Sequence, residues 1–191
     1  FLSVHPPVMA EVASGIKGQL KPEALLVSLA PKFTIATLSK LLGGFNRLAR
    51  VIPNAPSLIG AGYNPMACAA SLTTVDKTFL TDLLKPLGDC PEVDESKLEA
   101  YAIIVAMGPT YLWFQLQVLS ELAGQFGLSD AEITPALKRM ACGSTRTLLE
   151  SGLSAPEVMD LIPVKPLADM ESVVTNAYRQ KLTGLYEKIR P

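Results

Sequence analysis

Along the first half of the chain, short apolar runs alternate with stretches whose apolar residues recur every three or four positions. FLSVH (1–5) reads as a buried strand that begins at the first residue. In PPVMAEVASGIKGQL, Pro7 suits a first helical turn, and Val8, Val12 and Ile16 form an i, i+4, i+8 stripe. ALLVSLA (24–30) is continuously apolar, as parallel strands are when both faces are covered. A helix is predicted over 34–42, closed by Gly43-Gly44, and RLARVIP (47–53) is the third strand. Strands and helices alternating at this spacing predict βαβ units and a parallel sheet. YNPMACAA (63–70) offers another strand. A helix then opens at Thr73 with a T-x-x-D cap and ends near Leu87-Gly88, before DCPEV (89–93) supplies a short edge strand.

After Asp94 the period is helical almost throughout, from about Ser96 to Arg190. Ser129/Glu132 and Ser154/Glu157 are capping boxes that mark helix starts, and Gly127 and Gly152 mark helix ends. Pro135 falls early in its helix, so Thr134 is an alternative start. Pro163 and Pro166 bound a loop before a last helix reaching about Lys188. The pattern therefore predicts two domains, 1–95 and 96–191. Ala100 to Ser120 carries no charge and is as long as a membrane span. Gly108-Pro109 at its centre, Gln115, Gln117 and glutamates at its flanks argue instead for a helix buried in a dimer.

Composition sharpens this picture. The chain is 49% apolar and 18% charged, below the usual quarter, which predicts an extensive subunit interface. A net charge of −1 with both signs mixed gives no footprint for nucleic acid. Cys68, Cys90 and Cys142 lie far apart beside a single histidine, so no metal site is expected and reduced thiols in a cytoplasm fit best. One stretch carries candidate chemistry. In RVIPNAPSLIGAG (50–62), two prolines bracket Asn54 and fix the backbone around an amide that both donates and accepts. On these residues alone the turn is either a rigid connection or a ligand anchor.

Several segments, in order, resemble the pyrroline-5-carboxylate reductase family, whose members reduce a cyclic imine to proline with a nicotinamide cofactor. FLSVHPPVM resembles its strand ending in Ala-Val-Lys-Pro, and LLVSLAPK its next strand, ending in Ala-Ala-Gly. ARVIPNAPSLIGAG resembles its Arg-Val-Met-Pro-Asn-Thr-Pro segment. EVDESKLEAYAIIVAMGPTYLW resembles the opening of its dimerisation domain, and LLESGLSAPEVMDLIP the approach to its substrate loop. The resemblance implies the latter part of a Rossmann-like sheet followed by an all-helical dimerisation and substrate domain. It also implies NADP or NAD as cofactor, a small-molecule substrate and a homodimer. His5, Pro6 and Ala30 would then lie at strand ends against the cofactor, with Asn54 as a polar anchor near the nicotinamide.

The departures from that pattern carry information too. No G-x-G-x-x-G occurs in the 191 residues, and the family carries it upstream of the strand matching FLSVH. The expectation is that the first nucleotide-binding strands lie outside this sequence. Val105-Ala106-Met107-Gly108-Pro109-Thr110 stands where the family reads Ser-Gly-Ser-Gly-Pro-Ala. Ile162 to Leu167 stands where it reads Ser-Pro-Gly-Gly-Thr-Thr. Met107, Gly108, Pro109, Thr110 and Lys165 are the candidate substrate residues on this alignment. Tyr111 is either a proton donor or a packing residue, and no catalytic group is assigned. Three readings follow: an NAD(P)H-dependent C=N reductase of the pyrroline-5-carboxylate type, the same kind of enzyme acting on another imine or a keto compound, or a reductase-like dimeric ligand-sensing or interaction protein that has lost catalysis.

Overall fold

The computed structural model describes residues 1–190, with the Pro6 side chain and Pro191 outside the described residues. It forms two compact units, one of residues Phe1–Pro109 with Gln180–Pro191 and one of Thr110–Arg179.

The first unit is built on strands β1 (Leu26–Ser28) and β2 (Leu48–Val51), paired in parallel with Leu26 opposite Leu48 and Ser28 opposite Arg50. Leu2 adds one parallel bridge, its N–H donating to the Val27 carbonyl at 2.7 Å and its carbonyl accepting from Leu29 N–H at 3.1 Å. The strand expected over 1–5 thus contracts to a single residue. Leu2 is buried, while Phe1, Ser3 and His5 are exposed. Two successive prolines then remove the ladder donors and begin a 3-10 turn at Pro6–Val8. That extra turn also shifts the phase of helix α1 (Met9–Ile16). Met9 and Ala13 form its buried row, Val12 and Ile16 pack partly, and Val8 is 42% exposed instead of leading the stripe.

Helix α2 (Ile35–Leu41) is capped by Thr34, whose side chain accepts from Thr37 N–H at 3.1 Å. Strands β3 (Gly62–Tyr63) and β4 (Met66–Cys68) follow β2. Strand β4 runs antiparallel to β2, with Arg50 opposite Ala67, which corrects the all-parallel expectation. The connection between them contains a 3-10 turn but no crossover helix, and a parallel return needs one. Helix α3 (Thr74–Leu84) has the full Thr73/Asp76 capping box, and Asp76 also takes a two-point contact from Arg47 at 3.1 and 2.6 Å. The short strand β5 (Gly88–Asp89) pairs in parallel with β3. Leu26, Val27, Leu38, Leu48, Val51, Met66 and Leu80 make the core.

Residues 94–109 close one end of this unit. The Asp94 side chain accepts from Ser96 N–H at 2.8 Å, and helix α4 (Leu98–Tyr101) runs directly into a π-helical turn, Ala102–Ala106. Leu98 and Ala102 pack on Ile52 and Ala67, with Ile35 and Ala106 against them.

The rest of the chain is helical: α5 (Pro109–Gln125), α6 (Asp130–Glu150), α7 (Ala155–Met159) and α8 (Ala168–Ile189), the second unit taking α5 from Thr110 and α8 as far as Arg179. Both expected capping boxes form at Ser129/Glu132 and Ser154/Glu157. Helix α6 starts at Asp130, not Thr134. Pro135 is the sixth residue of that helix and has no N–H to donate to the Ala131 carbonyl. Helices α5 and α8 meet at Tyr111 and Tyr178, whose rings cross edge to face at 5.7 Å. The Tyr178 hydroxyl donates to the Tyr111 carbonyl at 3.2 Å. Little of the unit's apolar surface is covered within the chain: Leu112, Trp113, Phe114 and Val118 are all at least half exposed.

Candidate functional site

Parallel pairing makes the carboxyl ends of β1, β2 and the Leu2 bridge coincide, so the loops that follow them emerge on one edge. His5, Ala30 and Asn54 all lie on those loops. Open α/β sheets take ligands at that edge. His5 is exposed, and its carbonyl accepts from Val8 N–H at 3.1 Å. Ala30 is buried and presents backbone, its N–H lying 3.3 Å from the buried Ser28 hydroxyl.

The Pro-Asn-Ala-Pro turn is fixed from both sides. Asn64, fully buried, accepts on Oδ1 from Asn54 N–H at 3.0 Å and from the Ser57 hydroxyl at 2.9 Å. Asn54 Oδ1 in turn accepts from Tyr63 N–H at 3.1 Å, while its Nδ2 has no partner among the described residues. The two glycines have separate reasons. Gly60 ends the 3-10 turn at φ 69°, in the left-handed region. A Cβ on Gly62 would stand 2.1 Å from Ser57 Oγ and 2.5 Å from the Leu87 carbonyl oxygen. The turn is therefore a rigid mount for Asn54.

Beneath these loops sits a buried ion cluster that sequence reasoning missed. Arg50, fully buried in the middle of β2, reaches Glu99 at 2.5 Å and Glu95 at 3.1 Å. Each glutamate spends the same oxygen on the β1–α2 loop. Glu99 Oε1 accepts from Lys32 N–H at 3.1 Å, and Glu95 Oε1 from Ile35 N–H at 2.6 Å. One arginine thus ties the strand, the helix opening and the loop after Ala30 together. The signals were present: an arginine inside an apolar run, and two glutamates at i, i+4 spacing. A cleft of about 470 Å³ flanks the cluster, lined by Thr34, Asp94, Glu95, Glu99 and Arg190 among others. None of the sequence-predicted site residues lines it, and its acidic wall is ill suited to phosphates.

Met107, Gly108 and Pro109 follow the π-turn, where Met107 N–H reaches back five residues to the Ala102 carbonyl at 3.0 Å. A Cβ on Gly108 would come within 2.3 Å of the Ile104 carbonyl oxygen, so glycine is required there. Such turns recur at functional sites. Thr110 and Lys165 belong to the helical unit. Thr110 lies in the first turn of α5, and Lys165 is held by Asp160 at 2.8 Å, a contact that lowers the Asp160 carboxyl below its ordinary range. Tyr111 is partly buried, which raises its hydroxyl above the usual tyrosine value. Among the described residues no group of His, Cys, Asp and Glu is arranged to hold a metal ion.

No protein-family model matches the chain. It is 24% identical over 162 residues to a pyrroline-5-carboxylate reductase of Escherichia coli K12, covering 85% of this chain and 60% of that protein. A Corynebacterium melassecola pyrroline-5-carboxylate reductase is 28% identical over 161 residues, 83% of this chain and 60% of the relative. Among solved structures, a pyrroline-5-carboxylate reductase from Coxiella burnetii superposes with TM-score 0.63 at 25% identity, covering 97% of this chain and 69% of that one. Over most of its length the chain is similar to pyrroline-5-carboxylate reductases. The Plasmodium falciparum pyrroline carboxylate reductase with NADP bound shares the fold at TM-score 0.77 and 23% identity, over 97% of this chain and 76% of that one. The chain spans about 60% of the length of these bacterial pyrroline-5-carboxylate reductases. Its fold is accordingly a partial Rossmann-like sheet with a helical unit.

Proposed function

We propose that the chain serves NAD(P)H-dependent reduction of a C=N bond, with pyrroline-5-carboxylate or a related cyclic imine as substrate. The observation that carries this reading is the convergence of the His5, Ala30 and Asn54 loops on one carboxyl edge. The residues present suit the part of a dinucleotide that crosses strand ends. Ala30 offers backbone at close range and Asn54 an amide held in place through its own oxygen. The glycine cradle for a pyrophosphate is not among them. A bound NAD(P)H supplies the hydride. The chain's own part is to orient the two reactants and exclude water, chemistry that calls for little acid–base machinery.

In this reading residues 1–95 serve the cofactor and 96–191 serve substrate binding and dimerisation. Met107, Gly108, Pro109, Thr110 and Lys165 are the substrate candidates. A homodimer through the helical unit is supported by the exposure of Leu112, Trp113 and Phe114. Three free thiols fit a reducing cytoplasm. The test is NADPH consumption with pyrroline-5-carboxylate by the full-length protein, compared with its Asn54→Leu variant. Turnover that drops about tenfold or more in the variant, the usual cost of losing one positioned polar contact, supports the reading. Absence of both NADPH binding and turnover in the unaltered full-length protein overturns it.

A further inference from the structure

At the end of β1 the backbone does something no leucine, alanine or lysine adopts without cost. Lys32 has φ 73° and is the one non-glycine residue in the left-handed region among the described residues. The conformation is imposed from below, because the Lys32 N–H is drawn to the Glu99 carboxylate at 3.1 Å. Glu99 is itself buried and fixed by Arg50. Backbone strain of this kind persists where surrounding structure enforces it, and it gathers at ligand sites. The side chain so displayed is a cation. Lys32 is exposed, lies on the same carboxyl-edge loop as Ala30, and forms no salt bridge among the described residues. The nearby carboxylates, Glu95 and Glu99, are engaged with Arg50 and with backbone N–H groups.

We infer that Lys32 supplies the cation that fixes an oxyanion of the ligand at this edge, with Glu99 as the positioning residue that turns it there. The inference rests on the reading of this edge as the ligand site. The oxyanion is a phosphate of a dinucleotide or the carboxylate of an imino acid, and the two sources separate by titration. Lys32→Gly fits φ 73° without strain, so it keeps or raises the melting temperature, and any loss of binding is not loss of fold. Lys32→Arg keeps both the charge and the strain.

The full chain and both variants are titrated by calorimetry with NADPH, inorganic pyrophosphate and proline, at low and at high salt. Lys32→Gly is expected to weaken the bound anion about tenfold and to remove most of the salt dependence, while Lys32→Arg stays within about threefold. If pyrophosphate and NADPH respond together, the oxyanion is a phosphate. If proline responds and pyrophosphate does not, it is a carboxylate. Pyrophosphate or proline binding that depends on Lys32, without NADPH binding, keeps this inference and removes the reductase reading. Equal binding by the chain and Lys32→Gly, or no binding of any probe, overturns it.

Discussion

The sheet unit and the helical unit spend their apolar residues in opposite ways. The first buries Leu26, Val27, Leu38, Leu48, Val51, Leu80 and Leu98 almost completely. In the second, Ile133 is the only buried hydrophobic among the described residues, while Trp113, Phe114, Val118 and Phe126 face outward. The helices of the second unit are nonetheless well made, with complete capping boxes and the Tyr111–Tyr178 contact. Local signals are thus sufficient to start and stop helices, but they do not hide a surface. A domain that forms its secondary structure so cleanly still leaves most of its apolar side chains uncovered within the chain.

That contrast is open to attack, beginning with its strongest element. Glu99→Gln leaves Arg50 buried with only Glu95 opposite. Removing one partner of a buried ion pair costs about 3–5 kcal/mol, so the sheet unit's melting transition is expected to fall steeply. The Arg50→Met, Glu99→Leu double variant should recover much of the loss, and denaturant titration of all variants checks both values. Next is the helical unit: Trp113→Glu is expected to raise the dissociation constant of a homodimer at least about thirtyfold, an effect of about 2 kcal/mol. Sedimentation over a concentration series reads it. A chain that is monomeric at all concentrations removes the homodimer.

Thiol chemistry sharpens the comparison. Cys68 belongs to the sheet unit, and burial pushes its pKa up to about 11, with the Glu92 charge adding to the rise. At pH 8 about one part in a thousand is thiolate, whereas Cys142 is exposed on α6. Alkylation followed by mass spectrometry should label Cys142 first and Cys68 slowest. The smallest effect is at the caps. Hydrogen bonds from the Ser129 hydroxyl and backbone hold the Glu132 carboxyl below its ordinary value. Its contribution is present above the unfolded value of about 4.3 and disappears as pH falls through the lower folded value. Ser129→Ala should therefore lower helical stability near neutrality and progressively less in acid, measured by helical circular dichroism.

What the sequence revealed follows the same division between local and distant causes. Strands at 26–28 and 48–51 and the caps at Thr73, Ser129 and Ser154 were legible because periodicity and capping act within a few residues. The antiparallel return of β4 was not, since strand direction depends on what the connection packs against. Arg50 and Glu99 are 49 residues apart, so no short window pairs them. Of the candidate site, His5, Ala30 and Asn54 are proposed from motif resemblance and the strand order. The left-handed Lys32 was invisible because its cause is a carboxylate 67 residues away.

The π-turn at Ala102–Ala106 has a consequence for how this chain tolerates change in length. Such a turn is in effect an α-helix carrying one residue more than its register needs. Deleting one of those five residues would let the segment relax into regular α-helix while the residues beyond it kept their register. The wide turn before Gly108 would then be lost, and with it the close approach of Gly108 to the Ile104 carbonyl. A single-residue deletion within this stretch is therefore the change in length that the fold should tolerate best.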